Sequence, residues 1–278
     1  MTPFQAMQHA VDVVSGSEHP TNKIASCLFN GDQFVTCFNY RPKAFIDNFE
    51  LGRKLGSSSQ YVHSEIGCIL KTTFDLNGAS LCITDPMCPN CAKGIAQSGI
   101  KHVYIDHKGM EKDFIKRREN DFETMSLLMM ERAGISVDIV YRKEEKLESV
   151  LKSKQTEIGT IETPSKYAEA TINDETFTIY EALPPNISQQ EAQKCASTKY
   201  RFSNDSLTRL LIHLSSRSLK TDHVTCSHQP SSRALVNAVG FGITEISILS
   251  PALDHGEKGH ETLAELEKNG ILKINPLY

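Results

Sequence analysis

Residues 62–105 have the sequence VHSEIGCILKTTFDLNGASLCITDPMCPNCAKGIAQSGIKHVYI, and this stretch decides the fold. Its apolar spacing predicts two helices, at 62–72 and 88–98. A short apolar strand follows each of them, at 80–84 and 103–105. Helices and strands that alternate in this way are typical of a layered α/β domain.

The sequence on either side continues the alternation. Residues 4–15 predict a helix, and residues 23–38 predict a β-hairpin that turns at 30–32. Farther along, residues 122–133 predict another helix, which a glycine ends. We therefore place a first domain at residues 1–141.

The second half of the chain repeats the plan of the first. A constant offset of 143 residues aligns 25–105 with 168–248 without a gap, and Pro42, for example, then meets Pro185. Few residues are identical, but the order of the elements recurs. This order predicts a duplicated domain, and the alternative is a second, unrelated α/β domain.

A charged and polar segment at 142–166 separates the two copies. Its apolar residues Leu147, Val150 and Leu151 have the spacing of a short helix. Domain boundaries usually fall in such segments. The predicted organisation is a catalytic domain at 1–141, a linker at 142–166 and a second domain at 167–278.

Composition and charge narrow the class of protein. The chain is 39% hydrophobic and 23% charged, as soluble globular proteins are, and its net charge is -4. A protein that holds a nucleic-acid backbone usually carries a basic face. The most basic run, Lys116-Arg117-Arg118, lies among acids and is more typical of a solvated helix face. We expect a small-molecule partner rather than a nucleic acid.

Two further features predict a cytoplasmic protein. No run of apolar residues is long enough for a membrane span, and residues 1–16 lack the basic start and apolar core of a signal peptide. The eight cysteines are then expected to be reduced thiols. Among them, Cys88 and Cys91 alone have the spacing of metal ligands.

The two predicted helix starts carry a candidate metal site. His63 opens the first helix, and Cys88-Pro89-Asn90-Cys91 opens the second. Thiols three residues apart at a helix start lie on one face, and the helix dipole lowers their pKa. One imidazole and two thiolates leave the fourth position of a tetrahedral Zn²⁺ open for water, as a catalytic site requires. We therefore predict that His63, Cys88 and Cys91 bind zinc.

Glu65 is the candidate catalytic residue. It lies two residues from His63 and points elsewhere, so it is free to move protons between a water and a substrate. A His-x-Glu followed by Cys-x-x-Cys, each at a helix start, matches the signature of zinc deaminases. The alternatives are a structural zinc site, which usually has four protein ligands, and a coincidence of spacing.

Residues 1–141 resemble the cytidine/deoxycytidylate deaminase superfamily, and its deoxycytidylate deaminase-like branch most closely. Besides the zinc motifs, the resemblance rests on three segments: HPTNKI at 19–24, FNYRP at 38–42 and CAKGI at 91–95. It implies a three-layer α/β/α fold with a mixed sheet, here duplicated. It also implies a zinc-dependent hydrolase that removes ammonia from a cytosine nucleoside or nucleotide, with dCMP as one candidate.

The resemblance also implies three substrate-binding residues. Asn39 would contact the sugar or base, although an Asn after a strand is more often a turn former. Ser64 would offer its backbone N–H to the base. Met87 stands where the family usually has proline, directly before the first cysteine, so the wall that faces the base differs here.

The same positions in the second copy have lost this chemistry. The offset of 143 matches His63 with Ser206, Glu65 with Thr208, Cys88 with Ser231, and Cys91 with Ala234. We expect a degenerate, pseudo-catalytic domain that packs against the first. The resemblance also implies a homodimer, because some cytidine deaminases pair two such fused chains.

Two other functions remain open on the sequence. One is a deaminase that acts on a purine or on a base in RNA or single-stranded DNA, which the acidic net charge disfavours. The other is a zinc-bearing scaffold or regulatory protein without turnover. Glu65 argues against the scaffold, since a scaffold does not need this acid beside an open metal site.

Overall fold

The computed structural model describes residues 1–112, 119–153, 159–195, 200–250 and 258–277. The basic run at 116–118 lies outside these ranges. No helix in the described part of the chain is long and apolar enough to cross a membrane.

The first repeat alternates helices and strands as predicted. Thr2 and Gln5 form a capping box at the start of the first helix. The elements are α1 Pro3–Val13, β1 Ala25–Asn30, β2 Gln33–Phe38, α2 Lys43–Asn48, β3 Lys54–Leu55, β4 Ser58–Ser59, α3 Ser64–Lys71, β5 Ser80–Ile83, α4 Pro89–Ala96, β6 His102–Asp106, α5 His107–Met110, α6 (Glu119–Asp121, a π-helical stretch Phe122–Leu127 and Leu128–Arg132), β7 Ser136–Tyr141 and β8 Lys146–Leu151.

The second repeat follows the same order from its first strand onward. Its elements are β9 Glu162–Ile172, β10 Glu175–Ala182, α7 Gln189–Cys195, α8 Ser206–Ser216, β11 His223–Cys226, α9 Ser232–Phe241, β12 Glu245–Ile248, α10 Gly259–Lys268 and β13 Lys273–Pro276.

The two large sheets have matching topologies. The strand order is β2-β1-β5-β6-β7-β8 in one and β10-β9-β11-β12-β13 in the other. In each, a hairpin pairs antiparallel with the third strand, and the next two strands continue parallel to that strand. The predicted α/β class, with a mixed sheet that occurs twice, is confirmed.

The predicted helix between the copies is wrong. Leu147, Val150 and Leu151 lie in β8, which pairs antiparallel with β7 after a tight turn. Leu147 and Val150 are exposed, so their side chains do not pack against the core as the apolar face of a helix would. Pairing with the open edge of β7 satisfies backbone groups that a short isolated helix would leave to water, and it overrides the weak helical pattern.

The chain forms two compact units that are not continuous in sequence. The first contains Met1–Asn39, His63–Ile161 and Leu183–Asn204. The second contains Tyr40–Val62, Glu162–Ala182 and Asp205–Tyr278. Each unit therefore includes one segment from the other repeat. The boundaries at 141 and 166 stay a prediction about the duplicated sequence.

Helices cover both faces of the first sheet. Cys27 and Phe29 of β1 pack against Ala6, Met7 and Ala10 of α1, in a buried cluster. The alternate residue Ser26 points to the opposite face, where its hydroxyl lies 2.7 Å from the hydroxyl of Ser64 on α3. This alternation produces the expected three layers.

Strand pairing corrects the ungapped alignment. Asn30 pairs with Gln33 in the first hairpin and Ile172 with Glu175 in the second, an offset of 142. For β5 and β6, matched with β11 and β12, the offset is 143. The second repeat therefore has one extra residue between its hairpin and β11, and the N-caps His63 and Asp205, which are also 142 apart, place it after the start of α8. A slip of one residue moves every side chain of a strand to the other face, so pairing identifies counterparts better than sparse identity does.

With the corrected register, the sheet of the second repeat has no apolar face equivalent to the one that α1 covers in the first repeat. Polar residues replace the apolar ones, and no helix among the described residues corresponds to α1. The counterparts of Cys27, Phe29, Cys82 and Tyr104 are Glu169, Thr171, Thr225 and Ser247.

Candidate active site

Two helix starts bring the predicted metal ligands together. His63 is the N-cap of α3 and Cys88 is the N-cap of α4, both with extended backbone. Pro89 occupies the first position of α4, where its fixed φ suits a helix start. Cys91 lies in the first turn of α4, so its thiol shares a face with that of Cys88.

The spacing of the three side chains fits zinc. The Nδ1 atom of His63 lies 3.2 Å from Sγ of Cys91 and 3.5 Å from Sγ of Cys88, and the two sulfurs are 3.7 Å apart. A tetrahedral zinc at about 2.3 Å from sulfur and about 2.0 Å from nitrogen requires separations of about 3.5–3.8 Å. Within the described residues, these form the one group of three or more potential ligands that meet this closely.

The electrostatics of the group favour a bound cation. The hydrogen bond with Cys91 lowers the pKa of the Cys88 thiol well below its usual value, and nearby His63 adds to this effect. Thiolate is the form that binds metal. Cys91 is buried while His63 and Cys88 are partly exposed, so the group is open on one side. An open side is what a catalytic zinc needs and a structural one does not.

Glu65 lies in the first turn of α3 and is 3% exposed. Burial raises the pKa of its carboxyl group. The hydroxyl of Ser64 donates to Oε2 of Glu65 at 3.2 Å and is itself 2.7 Å from the hydroxyl of Ser26. All three side chains are buried. The two serines therefore hold the carboxyl group in place, and its raised pKa makes it easier to protonate, as a proton carrier requires.

One pocket contains both the metal group and the acid. It encloses about 490 Å³, including the part that is open to solvent, which is within the usual range for small-molecule sites. Most of its other walls are apolar. The lining residues are Ile24, His63, Glu65, Pro86, Met87, Cys88, Pro89, Asp121, Phe122 and Tyr200.

Sequence reasoning did not assign six of these residues to the site: Ile24, Pro86, Pro89, Asp121, Phe122 and Tyr200. Ile24 belongs to the segment that carried the family resemblance, and Phe122 opens a predicted helix, so both had a signal. Nothing in the sequence connects Tyr200 with the pocket, because it belongs to the second repeat.

The three predicted substrate residues have different positions. Met87 lines the pocket, and the hydroxyl of Ser126 fixes its carbonyl group at 3.1 Å. Ser64 is buried behind Glu65. The Asn39 amide oxygen accepts from the Ile24 N–H at 2.9 Å and from the Ser17 hydroxyl at 2.7 Å. Asn39 thus fixes the position of Ile24, the residue directly before β1. A contact between Asn39 and the substrate stays a prediction.

The corrected register changes the counterparts of the site in the second repeat. Asp205 corresponds to His63 and Leu207 to Glu65, in place of the predicted Ser206 and Thr208. Ser231 and Ala234 stay the counterparts of Cys88 and Cys91. Like His63, Asp205 is the N-cap of its helix.

Asp205 makes the connection that a metal would make in the first repeat. Its Oδ1 accepts from the N–H of Leu207 at 2.9 Å, and its Oδ2 accepts from the N–H of Ser231 at 2.8 Å. One carboxylate therefore joins the start of α8 to the start of α9. The thiols are gone, and charge-assisted hydrogen bonds tie the two helix starts together.

Comparisons with known proteins find relatives of part of the chain. No family model matches the chain. A protein described as an uncharacterized deaminase in the luxG 3' region of Aliivibrio fischeri is 29% identical over 131 residues, 47% of this chain and 87% of that protein. Human deoxycytidylate deaminase is 27% identical over 129 residues, 43% of this chain and 68% of the human protein.

Solved structures add a distant likeness. The dCMP deaminase of cyanophage S-TIM5, in complex with dCMP and dUMP, is 22% identical and has a TM-score of 0.38. The match covers 50% of this chain and 99% of the phage protein. The sequence relatives, rather than this distant likeness, carry the family assignment. Over about half of its length, the chain is related to members of the cytidine/deoxycytidylate deaminase superfamily.

Proposed function

We propose that the protein is a zinc-dependent hydrolytic deaminase of a free cytosine nucleoside or nucleotide, with dCMP as the first substrate to test. The observation that carries this proposal is the meeting of Glu65 with an open His63, Cys88 and Cys91 group in one pocket. A sequence relative named deoxycytidylate deaminase supports the choice of dCMP.

The three ligand side chains would hold Zn²⁺, which supplies Lewis-acid activation of water when bound. Glu65 accepts the proton that water loses as its oxygen adds to C4 of the pyrimidine. Glu65 delivers this proton to N3, and it then carries the second proton of the added oxygen to the exocyclic amine. The C4–N bond breaks, ammonia leaves, and a carbonyl group remains at C4. Water is the only co-reactant.

The rest of the pocket orients the base and limits water. Met87 and Phe122 are buried apolar walls, which suit the faces of a flat ring. Ser64 and Ser26 keep the carboxyl group of Glu65 from rotating away. The chain's own residues thus supply the orientation and the proton transfers.

The other readings have less support. The net charge of -4 does not favour a polymer substrate. A scaffold gains nothing from a buried acid beside a metal group, because burying a carboxyl group costs free energy. A cytoplasmic location, a homodimer and a pseudo-catalytic second repeat stay predictions.

A screen for ammonia release tests the proposal. The zinc-loaded full chain is incubated with cytosine, cytidine, deoxycytidine, CMP and dCMP, and with adenine and guanine counterparts. We expect ammonia from at least one cytosine compound and a matching change in ultraviolet absorbance. Ammonia from purines alone would favour the purine alternative, and ammonia from none would overturn the proposal.

A further inference from the structure

The helix that carries the two cysteines also holds a segment of the second repeat. Lys93 of α4 is only 6% exposed, and its ammonium group donates to the carbonyl of Ser203 at 3.0 Å. Gln97 at the end of α4 accepts from Asn204 at 2.6 Å and donates to the carbonyl of Leu183 at 3.3 Å. Both ends of the segment Leu183–Asn204 are therefore fixed to α4.

The helix α6 holds the same segment nearer its start. The amide of Asn186 donates to the carbonyl of Arg132 at 2.8 Å. The guanidinium group of Arg132 lies 2.6 Å from a carboxylate oxygen of Glu191. The helices α4 and α6 also supply Pro89, Asp121 and Phe122 to the pocket wall. The segment is thus anchored to the elements that shape the pocket.

Tyr200 lies between these anchors and reaches the pocket. It is 8% exposed and lines the same space as Glu65, Met87 and Phe122. Aromatic and apolar side chains bind nucleobases through their faces, because every base offers a flat π-surface. An aromatic ring of the second repeat therefore lines the pocket that contains Glu65 and the metal-ligand group of the first.

We propose that Tyr200 is a substrate-binding residue that contacts the bound nucleoside or nucleotide, and that the second repeat completes the substrate pocket through it. This inference rests on the proposed function. It gives the second repeat a direct part in substrate binding, although that repeat lacks the metal ligands and the proton carrier.

Steady-state kinetics on the zinc-loaded full chain test the inference, with dCMP and deoxycytidine as probes. Tyr200→Ala and Tyr200→Leu should raise KM roughly tenfold or more, in line with the loss of one base-aromatic contact. Their kcat should change less than about threefold, because the chemistry of Glu65 is untouched. Tyr200→Phe keeps the ring, so its KM should rise less than that of Tyr200→Leu.

Two controls separate substrate binding from folding. Tyr180→Ala removes a tyrosine of the second repeat that does not line the pocket, and KM should stay near that of the wild type. Tyr200→Leu keeps a large apolar side chain, so it decides the question if Tyr200→Ala does not fold. Calorimetry with dUMP should show affinity falling by the same factor as KM rises, with zinc content unchanged.

The possible failures are distinguishable. A wild-type chain that releases no ammonia from any cytosine compound and does not bind dUMP would overturn the proposed function, and this inference with it. An active wild type, together with a folded Tyr200→Leu whose KM and dUMP affinity are unchanged, would overturn the inference alone. A tenfold change in Tyr180→Ala would also overturn it, because the effect would then not depend on the pocket.

Discussion

Replacing Asp205 with alanine tests whether its carboxylate does in the second repeat what a metal would do in the first. The side chain accepts two backbone N–H bonds, from Leu207 at 2.9 Å and from Ser231 at 2.8 Å. Losing an N-cap to alanine costs about 1 kcal/mol, and a charged hydrogen bond between two elements contributes about 1.5–3 kcal/mol. Asp205 is partly exposed, which places the expected loss near the lower end, at about 3 kcal/mol.

Denaturant unfolding and calorimetric melting measure this loss. We expect the unfolding free energy of Asp205→Ala to fall by about 3 kcal/mol and the melting temperature by about 6–12 °C. Zinc content should stay unchanged, because Asp205 is the counterpart of the proposed zinc ligand His63 but is not itself a ligand. Asp205→Asn keeps one acceptor, so its loss should be smaller.

The matched control is Glu267→Ala, which removes a carboxylate from an exposed position of α10. Its stability should change by less than about 1 kcal/mol. A stability of Asp205→Ala equal to that of the wild type would refute the reasoning. So would a fall in zinc content, because it would make the second repeat part of the metal site.

Three further predictions concern the first repeat. Metal analysis should find one zinc per chain, and a zinc content near two per chain would contradict this. Cys91→Ala should remove the zinc and lower the melting temperature, because metal binding is coupled to local folding. Ser64→Ala removes the hydroxyl that links Ser26 to Glu65, so kcat should fall several-fold while zinc content and KM stay unchanged. An unchanged kcat would show that the Ser64 hydroxyl does not position Glu65. Burial raises the pKa of Asp85 from 3.8 to about 6, against the opposing effect of a nearby lysine. The folded state binds this proton more tightly, so the stability that the group contributes is present below about pH 4 and is lost as pH rises through about 6. Relative to Asp85→Asn, the wild type should therefore lose about 3 kcal/mol over that range, and a pH-independent difference would contradict the assignment.

The metal group could be predicted from the sequence because its parts are local. Each half is a short motif at a helix start, and a helix start fixes side-chain direction within one turn. The hairpin and the alternating elements of the first repeat were predictable for the same reason. Turn residues indicate the hairpin, and apolar periodicity indicates the alternating helices and strands.

Features that depend on pairing between distant segments were not predictable. The extra residue before β11 leaves no mark on the composition, yet it shifts the counterpart of His63 from Ser206 to Asp205. The strand β8 forms because β7 offers an edge, which a helical spacing pattern cannot show. Tyr200 reaches the pocket because α4 and α6 hold its segment, and those hydrogen bonds join residues about 60–110 positions apart.

The measurement that most directly tests the central claim compares the wild type with Glu65→Gln for ammonia release and zinc content. Glutamine keeps the size of the side chain but cannot carry the proton. We predict one zinc per chain in both proteins and a fall in turnover of about 10²–10⁴-fold in the variant. A Glu65→Gln protein that holds zinc and releases ammonia at the wild-type rate would contradict the account.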